Sequence, residues 1–156
     1  MSMQVWIAIV VGLAAVIDDL ARRHIANWIP AAALAGGFGW QIGQDGWRGA
    51  LTALAGAVVG FAVFLIFYLL GGMGGGDVKL MAGFGALLGA GRLLEAALWT
   101  AGIGGIMAAA ILGWKALRRR SVNTVPLSAE EREREASIPY APAIALGVWM
   151  SLVPKG

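Results

Sequence analysis

The sequence contains no cysteine, one histidine and few charged residues. The absence of cysteine excludes a disulfide framework and a cysteine-based metal site. His24 has no second histidine or carboxylate at the spacing that metal ligands need, so we interpret it as a basic loop residue and predict no metal. Only 13% of the 156 residues are charged and 59% are hydrophobic, whereas soluble domains are about 25% charged. The composition therefore indicates an integral membrane protein.

Six apolar runs divide the chain. Only the third and fifth approach the ~20 residues that cross a hydrocarbon core of about 30 Å, and the others need their flanks or a thinner bilayer. The fourth run starts at a glycine-rich stretch, so we expect a break there. We predict one all-α, polytopic domain over residues 1–156 with about six transmembrane helices. The runs are Met3–Ile17, Trp28–Ile42, Ala50–Leu70, Val78–Ala90, Ala96–Trp114 and Ile138–Val153.

The basic residues predict an orientation. If all six runs cross, the segments 18–27, 71–79 and 115–137 lie on one side, and the positive-inside rule makes that side cytoplasmic. The longest of them, 115–137, is then a polar cytoplasmic loop. These segments hold nine of the twelve lysines and arginines: Arg22, Arg23, Lys79, Lys115, Arg118, Arg119, Arg120, Arg132 and Arg134.

The same alternation brings aspartates together. Asp18, Asp19 and Asp77 fall on the cytoplasmic side, and Asp45 falls on the other. Two close carboxyl groups do not both ionise easily, so one polarises a carbonyl while its partner activates water. This aspartic-protease chemistry requires neither a metal nor a cofactor. The alternative is a small transporter or ion-pathway subunit, since intramembrane aspartates beside a broken helix also mark ion sites. No pair of related halves, which such transporters usually have, is visible.

The stretch "YLLGGMGGGDVKLMAGFG", residues 68–85, surrounds Asp77 with glycine. One interpretation is that glycine, lacking a Cβ, lets an extended peptide backbone approach the carboxylate. The other is that small residues pack transmembrane helices closely. The spacing alone leaves both interpretations open. The stretch lacks the Gly-Lys-Ser/Thr ending of a phosphate-binding loop.

Three motifs carry a family resemblance. "GGGDVKL", residues 74–80, resembles the Gly-x-Gly-Asp motif of the type IV prepilin peptidases, and "DLARRHIANW", residues 19–28, resembles their first aspartate motif. In that motif an isoleucine and an asparagine follow the aspartate at fixed spacings. Ile25 and Asn27 stand at those spacings from Asp19, so the resemblance identifies Asp19 rather than Asp18 as the first catalytic aspartate. "IPYAPAIALG", residues 138–147, resembles the closing helix. The likeness covers nearly the whole chain in matching order.

The resemblance implies an intramembrane aspartic endopeptidase in the bacterial inner membrane, with its active site facing the cytoplasm. It implies cleavage of the short basic leader of a prepilin after a glycine, at the cytoplasmic membrane face. The expected partners are the prepilin and the lipid bilayer, with no nucleic acid and no cofactor. The implied catalytic residues are Asp19 and Asp77, and the substrate-binding or supporting residues are Lys79, Gly74, Gly76 and Asn27.

Departures from the family pattern refine these expectations. Ala26 stands where the family usually has proline, and the paired cysteines of longer, methylating members are absent. The chain resembles the short members that serve Flp-type (tight-adherence) pili. We expect Asp18 to be a solvated neighbour and Asn27 to cap or brace the second helix. For Lys79 three roles stay open, namely to hold an acidic pilin side chain, to tune the aspartates, or to reach lipid headgroups.

Overall fold

The computed structural model describes residues 2–119 and 139–153, and every regular element in these ranges is a helix. Helix α3 runs through Arg119, so the first residues of the predicted 115–137 loop are helical. The remainder of that loop lies outside the described residues. The four helices are α1 (Met3–Arg22), α2 (Trp28–Leu69), α3 (Gly75–Arg119) and α4 (Ala141–Leu152).

Helix α2 doubles back on itself. A straight helix of its 42 residues would be about 63 Å long, twice the thickness of a hydrocarbon core. It is interrupted at Asp45 (φ −130°, ψ 16°) and at Gly46 (φ 55°, ψ −127°), and this positive φ is accessible to glycine. A Cβ on Gly49 would overlap the carbonyl of Gln41, so the two arms lie side by side. We call them α2a (residues 28–44) and α2b (residues 47–69).

Helix α3 has a similar interruption at Gly89 (φ 73°, ψ 164°), between α3a (residues 75–88) and α3b (residues 90–119). The two arms run in opposite directions here too. Leu93, near the start of α3b, lies beside Gly60 of α2b, and Gly104, further along α3b, lies beside Tyr140 at the start of α4. The described chain thus forms six helical segments that alternate between two ends. We call these the aspartate end, with Asp19 and Asp77, and the far end, with Gln4 and the two interruptions.

Segment α3a is the centre of the fold. Leu80, Met81, Phe84 and Leu87 have no exposed surface. Contacts with the glycines show its neighbours, since Gly83 meets Ala33 of α2a and Gly60 of α2b meets Met81. The closest approach joins Gly56 and Gly85, where a Cβ on either residue would overlap the other's carbonyl oxygen. Such glycine contacts let membrane helices pack backbone to backbone, and here they fix the segment that begins near Asp77.

A buried polar cluster closes the far end of α3a. The interruption at Gly89 leaves carbonyls of the preceding turn without helical partners. Gln4 of α1 and Gln41 of α2a both donate from Nε2 to the Leu87 carbonyl, at 2.8 Å and 3.2 Å. Side chains from neighbouring helices satisfy broken membrane helices in this way. The two glutamines therefore fix the position of α3a relative to α1 and α2a.

The fold confirms an all-α protein with membrane-spanning character. Three helical stretches are long and apolar enough to cross a membrane, namely α1, α2 and Gly75–Trp114. Large apolar side chains cover the outside, for example Ile66 and Leu98, which are 59% and 75% exposed, as lipid contact requires. Helix α4 has 12 residues, about 18 Å, so length alone does not make it a crossing. The glycine-rich break predicted before the fourth run lies at residues 70–74, between α2 and α3.

Candidate active site

Asp19 lies near the end of α1 and is only 7% exposed. Its Oδ2 accepts a hydrogen bond of 3.1 Å from the backbone N–H of Ala141, the first residue of α4. The first N–H groups of a helix have no partners within the helix and favour a negative charge. The start of α4 therefore holds Asp19 in place, although the two residues are 122 positions apart in the sequence.

Asp77 is the third residue of α3 and is 6% exposed. Its Oδ2 accepts the N–H of Gly74 at 3.1 Å, and its own N–H donates to the Gly74 carbonyl at 3.1 Å. A carboxylate at the third helical position commonly closes the helix start in this way. Its Oδ1 is buried and has no hydrogen-bond partner in the described part of the chain. Buried polar atoms are rarely left unpaired, and the exceptions include catalytic groups.

Both carboxyl groups lie at the aspartate end. They come from α1 and from the start of α3, and both are buried. Each has one oxygen oriented by a backbone N–H from a different segment. The structure thus brings together the two aspartates that the sequence selects. Asp45 lies exposed at the far end.

The prediction that Asp18 is a solvated neighbour is wrong. Its side chain is 15% exposed, and its Oδ2 accepts the N–H of Ala26 at 2.7 Å. Its Oδ1 lies 3.3 Å from Nε of the exposed Arg22. Helix α1 stops at Arg23, which has a φ of 54°, and the chain then returns past Asp18. Asp18 therefore shapes the link between α1 and α2.

The predicted supporting residues cluster between α3 and that link. Lys79 Nζ donates to Asn27 Oδ1 at 3.0 Å, and both side chains are exposed. Asn27 precedes α2, and its side chain makes no capping hydrogen bond. Of its two predicted roles, to cap or to brace the second helix, the structure shows no side-chain cap, and the bond from Lys79 links the start of α2 to α3. A Cβ on Gly76 would lie 3.1 Å from Cβ of the buried Ile25, whereas one on Gly74 would reach Asp77 Oδ2 at an ordinary 3.4 Å.

A cleft opens at the aspartate end of the bundle, although neither aspartate is among the residues that line it. It has a volume of about 560 Å³ and lies between the end of α2b, α3b and Tyr140. A larger cavity of about 940 Å³ lies towards the far end, between α1 and α4, and includes Arg92 and Glu95. The sequence did not predict the cleft or the Ala141 anchor. Neither a backbone N–H group nor a gap between helices requires particular residue types, so neither can be recognised in a sequence. The resemblance of residues 138–147 to the closing helix of the family was the single indication that this region matters.

No cluster of metal ligands accompanies the aspartates. Within residues 2–119 and 139–153, no group of three histidine, aspartate or glutamate side chains is placed to hold a metal ion. His24 is exposed in the link after α1. The described polar groups of the site are therefore the two carboxyl groups and the backbone N–H groups that orient them.

Fold and site together define a helical membrane protein with two buried aspartates at one end of the bundle. The sequence model of the type IV leader peptidase family matches residues 6–119, which include both aspartates. The chain belongs to this family, and membership implies cleavage of prepilin leaders. No curated protein and no solved structure matches the chain.

Proposed function

We propose that the chain is an intramembrane aspartic endopeptidase with Asp19 and Asp77 as its catalytic pair. It cleaves the short basic leader of a Flp-like prepilin after a glycine, at the cytoplasmic membrane face. The observation that carries the proposal is that two buried carboxyl groups from separate helices lie at the same end of the bundle, and that Asp77 keeps one oxygen without a partner in the described part of the chain.

The arrangement suits hydrolysis of a peptide bond. Two adjacent buried carboxyl groups hold one proton between them, because like charges at close range are unfavourable. The protonated carboxyl donates to the carbonyl oxygen of the scissile glycine, while the carboxylate takes a proton from the attacking water. The new C–O bond gives a tetrahedral intermediate. As its C–N bond breaks, the amine of the new N-terminus takes up a proton from the pair, and one hydroxyl of the intermediate returns its proton to the pair as the C=O bond re-forms. The pair titrates as a unit, so neither aspartate is assigned as the acid.

Charge at the two ends supports a cytoplasmic active site and six crossings formed by α1, α2a, α2b, α3a, α3b and α4. Arg22, Arg23 and Lys79 lie at the aspartate end, and Arg48 and Arg92 lie towards the far end. The orientation is measurable because the chain has no cysteine. With a membrane-impermeant maleimide, we expect Gln44→Cys to react in intact cells and His24→Cys to react only after permeabilisation. The reverse labelling pattern would refute this orientation.

Cleavage tests the proposed reaction and its substrate. The chain is co-expressed with a Flp-type prepilin, or with a prepilin of another type, in a host that lacks its own prepilin peptidase. We expect the Flp-type prepilin to shift on a gel, with a new N-terminus directly after the leader glycine. Asp19→Asn should stop the shift. Asp18→Asn should retain it, because an amide oxygen still accepts the Ala26 N–H.

Three results would contradict parts of this account. Processing that survives Asp19→Asn but not Asp18→Asn would reverse the register. Processing of the other prepilin alone would remove the Flp assignment. Processing that survives both replacements would exclude Asp18 and Asp19 alike from the reaction. The transporter alternative expects acidic groups near the bilayer midplane, whereas Asp19 and Asp77 lie near helix ends.

A further inference from the structure

The cleft at the aspartate end, which we call the glycine-loop cleft, is lined by residues that directly precede the anchors of both carboxyl groups. Its lining includes Gly72 and Met73, which directly precede Gly74, whose N–H binds Asp77. Its lining also includes Tyr140, which directly precedes Ala141, whose N–H binds Asp19. A molecule in this cleft therefore lies next to the backbone that orients the proposed catalytic pair.

The walls of the glycine-loop cleft suit an uncharged apolar helix. None of the described residues that line it is charged. Phe67 presents a large apolar side chain that is 44% exposed. On α3b four of the lining residues are small, which lets a second helix backbone come close. These small residues are Ala97, Ala101, Gly104 and Gly105.

The volume of the cleft limits its occupant. A helix about 11 Å in diameter with a pitch of 5.4 Å occupies roughly 500 Å³ per turn. The cleft of about 560 Å³ therefore has room for about one turn of an apolar helix.

We propose that the glycine-loop cleft binds the first apolar turn of the prepilin directly after the scissile bond. The inference rests on the proposed function, which requires that bond to reach Asp19 and Asp77. In the proposed function the basic leader lies on the cytoplasmic side of the bond, so the residues after the bond are those that enter the membrane, where apolar side chains are favoured. Apolar residues there match the apolar walls. The basic leader does not match them, because moving a charge into an apolar site is unfavourable. Binding of this turn determines which peptide bond of the prepilin lies at the carboxyl groups of Asp19 and Asp77.

Two glycines on α3b provide a matched test. Gly105 lines the cleft and Gly102 does not, and a Cβ on either would meet no described heavy atom within 4 Å. Gly105→Leu should fill the cleft without a clash, whereas Gly102→Leu adds the same side chain outside it. Because one or two apolar side chains of the substrate lose their burial, we expect kcat/KM for prepilin cleavage to fall about 10- to 100-fold in Gly105→Leu. Gly102→Leu should cleave like the unaltered chain. Equal rates for two variants of equal thermal stability would overturn the proposal.

Disulfide mapping identifies the occupant directly, since the chain has no cysteine of its own. Gly105→Cys and Gly102→Cys are each combined with prepilins that carry one cysteine at successive positions around the scissile bond. Mild oxidation should join Gly105→Cys to the first turn after the bond and leave Gly102→Cys unlinked. Links to the leader, links between two copies of this chain, or no link at Gly105→Cys would each overturn the proposal.

These results are separable from the proposed function. If Asp19→Asn and Asp77→Asn stop cleavage while Gly105→Leu cleaves normally, the cleft proposal fails and the catalytic pair stands. If the aspartate variants still cleave while the disulfides form as expected, the catalytic assignment fails and the binding site stands.

Discussion

Replacing Asp77 with asparagine should abolish prepilin cleavage and leave the fold intact. The asparagine oxygen can still accept the Gly74 N–H that Asp77 Oδ2 accepts at 3.1 Å, so the start of α3 keeps its closing hydrogen bond. The amide cannot exchange a proton as a carboxyl group does. General acid–base catalysis contributes about 100- to 10,000-fold, and we expect the initial cleavage rate of the purified protein to fall by at least this range.

Asp45→Asn is the matched control for this replacement. It makes the same chemical change at an exposed residue at the far end, and we expect the rate to stay within about twofold of the unaltered chain, as for most surface substitutions. Thermal unfolding in detergent should be alike for both variants. A folded Asp77→Asn protein that cleaves at the rate of Asp45→Asn would remove Asp77 from the reaction.

Gly56→Ala should lower the stability of the fold strongly. The added methyl group would overlap the carbonyl oxygen of Gly85, so α2b and α3a must move apart along their closest contact. Overpacking of a tight core costs about 1–3 kcal/mol, and here the clash is with backbone, which cannot rotate away. We expect a clear drop in the thermal midpoint in detergent, together with lost cleavage, because α3a carries Asp77.

Gly39→Ala tests whether this effect comes from the contact. Gly39 is an exposed residue of α2a, and a Cβ there meets no described heavy atom within 4 Å. Alanine is a better helix former than glycine by roughly 0.5–1 kcal/mol, so this variant should be as stable as the unaltered chain or more stable. If Gly56→Ala unfolds at the same temperature as Gly39→Ala, the close approach of α2b and α3a is wrong.

The sequence predicted the all-α membrane class and the placement of Asp19 and Asp77 at one end of the bundle, because composition and charge carry that information. It did not predict how tightly the chain reverses. The second and third apolar runs looked like separate helices, yet only Asp45 and Gly46 leave helical geometry between them. Apolar periodicity locates helices, but it does not reveal that one glycine with positive φ is enough to join two of them. The error at Asp18 arose similarly, since position on α1 alone did not show that Ala26 returns to it.

The glycines show why the two interpretations of residues 71–76 could not be separated by spacing. Gly76 faces the buried Ile25 closely, as the packing interpretation expects, and Gly71 has a φ of 74° that favours glycine. Gly74 instead has room for a Cβ, beside Asp77. Neighbouring glycines in one run thus serve different purposes. The purposes of these glycines can be distinguished only from the segments that pack against each one. The positions of those segments depend on contacts between residues far apart in the sequence.

The most direct test of the central claim compares cleavage by Asp19→Asn, Asp77→Asn and the double variant, each purified and given the same prepilin. Residues that act as one catalytic unit have strongly non-additive effects. We predict that each single variant loses as much activity as the double variant, because either replacement breaks the proton-sharing pair. A single variant that keeps substantial activity, or a double variant whose loss is the product of the two single losses, would contradict a catalytic pair formed by Asp19 and Asp77.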